Sequence, residues 1–415
     1  MTLIKTSLLN GIAVGVRMFT ALILNKILAV YVGPSGYAVI GQFQNAVSMI
    51  VSFATGAINT GVIKYTAEYY DDTPRQRALW CTAGSIVLIG SIIASLALFL
   101  FRESLAVYFL KAAKFSSIFL WLSGTIIMFS FNALMLAILN GKKEVQRYVT
   151  INITGSAIAL VLTGFLAWQW GLYGALVALS INQSIVFFVT LYICRKADWF
   201  SLRNLVGRID PSIARNLGKF VMMAGTSAVV VPTSHIFIRN HLGAQFGWNY
   251  AGYWDAMWKI STINLTLVTT TLSLYYLPRI AEIREWIELK NEILRGYIII
   301  LPIVVISAIT LFLGKDYLVQ LLFTPDFLPM RELFAWQLPG DVIKIASWLL
   351  GYVLVGRAMA FPFLITEVAF AGSFCILTVV FTAFTGFSGV ALAYFVNYLL
   401  HFTVMAIIVL NKKLG

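Results

Sequence analysis

Apolar residues fall in twelve long runs separated by short polar stretches. The spans are 8–32, 37–63, 78–101, 116–140, 148–168, 173–194, 214–239, 251–274, 291–313, 331–355, 361–382 and 387–410. Each is long enough to cross a hydrocarbon core of about 30 Å as a helix. The first contains Arg17 and Lys26. A cation at bilayer depth costs about 2.5 to 3.5 kcal/mol even on the lenient insertion scale, so each must face protein, water or an anion, or snorkel to an interface. Arg17 also interrupts any signal-peptide core, so the first run is expected to stay as a span.

Landmarks recur down the chain. Gly171-Leu172-Tyr173-Gly174-Ala175 returns 215 residues later as Gly386-Phe387-Ser388-Gly389-Val390, Gly141-Lys142 returns as Gly356-Arg357, and Gly36-Tyr37 returns as Gly252-Tyr253. Two six-helix halves of the same orientation are therefore expected, 1–194 and 214–415, joined by a polar linker at 195–213. Such a parallel repeat places a cavity between its halves. The fold class is all-α and polytopic.

Composition changes the picture little. The 415 residues are 60% hydrophobic and 11% charged, with a mean hydropathy of +0.86, beyond what a soluble core could hide. The net charge of +13 has a topological cause. Twenty lysines and arginines fall in the termini and even-numbered loops, among them Arg75, Arg77, Arg203, Arg208, Arg284, Lys412 and Lys413, against six on the other side. By the positive-inside rule both termini are cytoplasmic, and no nucleic-acid partner is implied. Cys81, Cys194 and Cys375 form no CxxC and read as inert thiols, and His235, His241 and His401 lack metal-ligand spacing. There is no GxSxG, Walker A or HExxH and the outer loops are short, so the chain reads as a transporter rather than an enzyme.

Polar residues mark the expected cavity wall. Gln42, Asn45, Ser48, Ser52, Thr55 and Asn59 fall within an arc of about 140° on span 2, and Asp255, Lys259, Thr262, Thr266, Thr269 and Ser273 within about 80° on span 8. A hydroxyl stripe alone can simply join helices. The recurrence at equivalent repeat positions favours an aqueous wall.

Intramembrane charges are the candidate binding groups. Arg17, Lys26, Lys259 and Lys344 outnumber Asp255, Asp341 and Glu367, with Arg239 at the end of span 7, so the path is biased towards an anion. Asp255 and Lys259 at i,i+4, and Asp341 and Lys344 at i,i+3, can each pair on one helix face. Structural pairs and functional sites both remain open readings. A guanidinium grips phosphate with two donors, which makes Arg17 the phosphate candidate. On a straight helix Lys26 lies half a turn out of register with it, equally suited to an outer ion-pair gate. Glu367, with no cation near it on its helix, is a proton- or cation-coupling candidate or a protonated structural acid. Pro339-Gly340 is expected to kink span 10, and 275–290 to form a short surface helix.

Two stretches then carry a resemblance: Lys26-Ile27-Leu28-Ala29-Val30-Tyr31-Val32-Gly33-Pro34-Ser35-Gly36-Tyr37, and Phe334-Ala335-Trp336-Gln337-Leu338-Pro339-Gly340-Asp341-Val342-Ile343-Lys344. With Lys64-Tyr65 they resemble the Wzx-type flippases in the polysaccharide-transport branch of the multidrug/oligosaccharidyl-lipid/polysaccharide exporter superfamily, along the whole chain. The resemblance implies alternating-access transfer of an undecaprenyl-pyrophosphate-linked oligosaccharide (an O-antigen or enterobacterial common antigen repeat unit) across the bacterial inner membrane. Arg17, Lys26, Arg239 and Lys344 would map to a cationic cavity. No cofactor is implied beyond H+ or Na+ coupling; partners would be membrane lipids and the pathway's polymerase and chain-length regulator. The chain differs from lipid II flippases in having twelve expected spans rather than fourteen, and no cation within span 2 before Lys64. The rival readings are a cation-coupled multidrug exporter of the same fold and a membrane glycan polymerase or ligase.

Overall fold

The computed structural model describes residues 3–283, 285–357 and 359–411; Arg284, Lys412 and Lys413 lie outside them. The described chain is helical throughout: α1 (Leu3–Ala54), α2 (Asn59–Glu68), α3 (Thr73–Leu100), α4 (Arg102–Leu110), α5 (Ser116–Gly141), α6 (Val145–Cys194), α7 (Pro211–Gln245), α8 (Trp248–Thr271), α9 (Leu277–Glu282), α10 (Trp286–Leu313), α11 (Lys315–Leu322), α12 (Phe334–Gly356), α13 (Ala360–Thr385) and α14 (Gly389–Asn411). Among the described residues seven segments are long and apolar enough to cross a membrane. Three of them, at 44 to 50 residues, have length for two passes. The protein is a multi-pass, all-α membrane protein.

Glycines set the reversals. Gly33 (φ 70°) breaks α1 where spans 1 and 2 were expected to meet, and Pro34 follows with no N–H to continue the ladder. Gly171 (φ 54°) breaks α6 between spans 5 and 6, and Gly386 (φ 67°) separates α13 from α14. These last two lie at the 215-residue repeat offset. Three residues on, Gly174 and Gly389 leave no room for a Cβ against the backbone of Leu166 and Phe381, again equivalent positions. The same close chain reversal is thus built twice.

Span 2 departs from expectation. Its helix stops at Ala54, and Gly56 (φ 61°) and Ala57 (φ 50°) take left-handed conformations before α2 restarts at Asn59. The Ala57 N–H donates to Ser52 O at 2.9 Å, closing the end. Asn59 is therefore on a different helix from the rest of its stripe. Span 10 departs oppositely. The helix does not unwind at Pro339-Gly340, because α12 keeps helical backbone through both. Gly340 instead allows close approach: a Cβ there would lie 2.5 Å from Tyr394 Cδ1 and 3.4 Å from Phe395 Cα on α14. The expected surface helix at 275–290 is also divided, a wide turn at Leu272–Tyr276 leading into α9 and a new start at Trp286. Arg279 ties the pieces, 2.8 Å from Glu288 and 3.9 Å from Glu292.

The chain separates into two compact units, Met1–Val32 with Val39–Pro232, and Gly33–Ala38 with Thr233–Gly415. In the first, α2, α3, α5 and α6 enclose Leu79, Ala83, Val87, Leu134, Ile138 and Ile151. The 195–213 stretch, expected as a linker, packs onto α3 within this unit. Leu205 is buried against Gly84, Trp199 meets Trp80 edge-on at 5.4 Å, and Ser85 Oγ donates to Gly207 O at 2.7 Å. In the second unit α12 packs between α10, α13 and α14, over a core that includes Leu272, Tyr276, Leu349, Val353 and Met405. The 33–38 turn belongs here because Gly252 accepts Pro34 O without a Cβ in the way, and Tyr37 packs edge-on to Phe323 and Phe327.

If Gly340 is an approach point rather than a hinge, Gly340→Ala destabilises the protein by about 1–3 kcal/mol through overpacking against Tyr394. Gly351→Ala on the same helix, where nothing lies within 4 Å, serves as the control and lowers the detergent melting midpoint little or not at all.

Candidate functional site

The second unit gathers five of the charged candidates around an aromatic wall. Residues Phe246-Gly247 turn α7 into α8, bringing Arg239 near the end of one beside Asp255 near the start of the next. Arg239 Nε donates to Asp255 Oδ2 at 2.6 Å, each residue is 3% exposed, and the guanidinium lies 5.5 Å from the Trp254 ring centroid. Arg239 is thus the direct salt-bridge partner of Asp255, while Lys259 one turn on stays within electrostatic reach of it. The hairpin offers Asp255 a guanidinium fork sixteen residues earlier, a better carboxylate partner than an ammonium one turn away. Lys259 instead places Nζ 4.9 Å from the Tyr37 ring centroid.

Asp341 and Lys344 remain within electrostatic reach of each other but make no direct salt bridge. Asp341 is fully buried, and its Oδ1 accepts from Ser261 Oγ at 2.6 Å and Tyr394 OH at 2.8 Å. Its Oδ2, and both polar side-chain atoms of the buried Gln337, make no hydrogen bond of standard geometry. Lys344, 9% exposed, sits among four rings, with Nζ 4.9 to 5.6 Å from the centroids of Trp348, Trp258, Tyr398 and Tyr394. A desolvated cation over one ring face gains about 2 kcal/mol, and four rings hold it without neutralising its charge. Trp258 is the hub, meeting His235 at 4.4 Å, Trp254 at 5.6 Å and Tyr394 at 5.4 Å.

In the first unit Arg17 is exposed, and its Nη2 donates to Asn152 Oδ1 at 3.3 Å. Among the described residues no acid pairs with it, so its charge remains available. Lys26 is half-buried on the same helix. Of the span 2 stripe, Gln42 and Thr55 are buried, Asn45, Ser52 and Asn59 half-buried and Ser48 exposed, so the stripe is not one uniform open wall. On α8, Thr262 and Thr266 donate to Trp258 O and Thr262 O, one turn back on their own helix. Glu367 is half-buried on α13.

Several contributors carry no charge and were not singled out from sequence: Ser261, Trp258, Trp348, Tyr394 and Tyr398. The available signal was spacing, because Trp254/Trp258 and Tyr394/Tyr398 are i,i+4 pairs whose rings share a helix face. A polar contact recurs at one equivalent repeat position. Asn132 bonds Gln183 and Thr190 in the first unit, and Ser347, 215 residues after Asn132, bonds His401 in the second.

Fold and site together define a polytopic, all-α membrane protein with a repeated helix pattern and, in its second unit, a charged cluster walled by aromatic rings. More narrowly, the chain belongs to the polysaccharide biosynthesis protein family, whose model matches residues 3–284. It is 28% identical over 97% of both chains to the lipid III flippase of Escherichia coli (strain K12), and equally to that of Shigella flexneri. Its fold matches an inward-facing multidrug resistance MATE family transporter of the MOP superfamily (TM-score 0.78, 15% identity, 96% of each chain). It also matches the lipid II flippase MurJ in an inward closed conformation (TM-score 0.76, 14% identity, 98% of this chain and 87% of that one).

The buried ion pair yields a double-mutant prediction. Asp255→Leu strands a buried guanidinium and costs about 3–5 kcal/mol, whereas adding Arg239→Met recovers most of that loss. Thermal unfolding of the four proteins in detergent checks it.

Proposed function

We propose that the protein is a flippase that moves an undecaprenyl-pyrophosphate-linked oligosaccharide from the cytoplasmic to the periplasmic leaflet of the bacterial inner membrane by alternating access. The observation that carries this reading is Lys344: a buried ammonium that, among the described residues, makes no direct salt bridge and is held among rings that can also stack on sugar faces. Full-length similarity to lipid III flippases supports the substrate class.

Arg17, exposed and without an acidic partner, is the proposed pyrophosphate ligand. Lys26, Lys259 and Arg239 add positive potential, with Arg239 and Asp255 acting mainly as a structural or gating pair. The half-exposed hydroxyls and amides of the two stripes would meet sugar hydroxyls. Asp341, with one oxygen already hydrogen-bonded and the other not, and Glu367 are the proposed H+ or Na+ coupling groups. The distribution of cations supports a cytoplasmic location for both termini. The polymerase and chain-length regulator of the same pathway are the proposed protein partners. A multidrug exporter is the second reading, favoured by the fold of the MATE transporters and by aromatic rings beside a buried acid.

Depletion in the native host separates the two. The flippase reading predicts accumulation of a lipid-linked oligosaccharide, relieved by the wild-type gene, with Arg17→Ala or Lys344→Ala at matched expression giving about a tenfold weaker rescue. Unchanged lipid-linked intermediates together with increased drug susceptibility would instead favour export.

A further inference from the structure

A separate cavity lies in the first unit, lined by none of the charged residues described above. It has a volume of about 810 Å³ and is lined by Thr73, Pro74, Arg77, Ala78 and Cys81 of α3 and by Arg208, Ile209, Asp210 and Pro211 leading into α7. From these observations we propose that this cavity binds the phosphate headgroup of an anionic glycerophospholipid, clamping the 207–211 segment onto α3.

Three observations carry the assignment. Arg77 and Arg208 make no hydrogen bond, ion pair or ring contact with any described residue, unlike nearby Arg75, which pairs with Asp72 at 3.5 Å. Two unpartnered guanidiniums in one cavity are a phosphate-binding arrangement, each able to present parallel donors to an oxyanion. The Asp210 carboxylate also borders the cavity, but its Oδ1 accepts from the Ser212 and Ile213 N–H groups and so serves the start of α7. Charge at the rim therefore remains net positive.

The cavity is preformed. Asp210 N donates to Thr82 Oγ1 at 3.0 Å and Gly207 N to Ser85 Oγ at 3.1 Å, fixing the segment that carries Arg208 against the helix that carries Arg77. Its remaining walls, Pro74, Ala78, Ile209 and Pro211, are apolar, and the apolar run of α3 begins at Ala78. Cationic rim and greasy wall at the membrane boundary fit a lipid headgroup with the start of its chains better than a free ion. The volume falls within the range of small-molecule sites, about 300–1,000 Å³. This segment leads directly into α7, so lipid occupancy would steady the start of that helix.

Cys81 supplies a reporter, since its partly exposed thiol borders the same cavity. The full-length protein carrying Cys194→Ser and Cys375→Ser is reconstituted in vesicles of phosphatidylcholine alone or with 30% phosphatidylglycerol (about that fraction suffices to give an anionic surface) and treated with uncharged N-ethylmaleimide. The expected result is modification of Cys81 at least fivefold slower with phosphatidylglycerol, and loss of that difference in Arg77→Gln/Arg208→Gln. Equal rates in the two vesicles overturn the proposal, as does protection that persists in the double variant. Equal protection by inorganic phosphate in phosphatidylcholine vesicles overturns the lipid as occupant. Native mass spectrometry in detergent gives a readout independent of labelling: the wild type retains phosphatidylglycerol and the double variant, folded by circular dichroism, retains several-fold less. Equal retention overturns the proposal. None of these measurements reads transport, so their failure leaves the flippase reading intact.

Discussion

A charge buried among apolar helices has to be satisfied by the protein itself, and the second unit is arranged around that requirement. Arg239 and Asp255 meet it by pairing across the α7–α8 hairpin, at 2.6 Å and almost without exposure. That pairing leaves the Lys259 ammonium beside the Tyr37 ring. The other cation, Lys344, meets the requirement differently, held by ring faces with no direct salt bridge among the described residues. The nearby Asp341 spends its hydrogen bonds on two hydroxyls rather than on Lys344. The distinction matters for function, because a hydrogen-bonded ion pair holds structure while an ammonium without a direct salt bridge keeps donors for an anion.

The backbone that positions these groups depends on a small set of glycines. At Gly33, Gly171 and Gly386 the positive φ permits the chain to change direction. Gly174, Gly389 and Gly340 instead bring neighbouring backbone or rings into direct contact. Tyr394 shows how the two layers connect: its ring packs against Gly340, and its hydroxyl holds Asp341. Packing and electrostatics at the site are therefore parts of one arrangement.

Much of this was legible in the sequence. Apolar runs gave the helical, membrane-spanning class, and the recurrence of Gly171 and Gly174 as Gly386 and Gly389 gave the repeat that the backbone angles display. The end of span 2 was not legible, because Gly56 and Ala57 terminate a helix inside an otherwise unbroken apolar pattern. Nor were α4 and α11, which are too short for periodicity to separate from loop. The direct partners of the buried acids were not legible, for a clear physical reason. Spacing along one helix brings Lys259 near Asp255 and Lys344 near Asp341, but hydrogen-bond partners are chosen in three dimensions, where a guanidinium from α7 and hydroxyls from α8 and α14 reach the carboxylates more closely. The aromatic cage escaped notice because tryptophan and tyrosine in an apolar helix look like packing until their positions around a cation are known.

The central claim is that Lys344, held within its aromatic cage without a direct salt bridge among the described residues, serves transfer of an anionic lipid-linked glycan. It is tested most directly by reconstituting wild type and Lys344→Ala in proteoliposomes and following the leaflet exchange of a labelled undecaprenyl-pyrophosphate oligosaccharide. The account predicts rapid exchange by the wild type and at least tenfold slower exchange by the variant, with both proteins equally folded. No exchange by the wild type, or equal rates in the two, would contradict it.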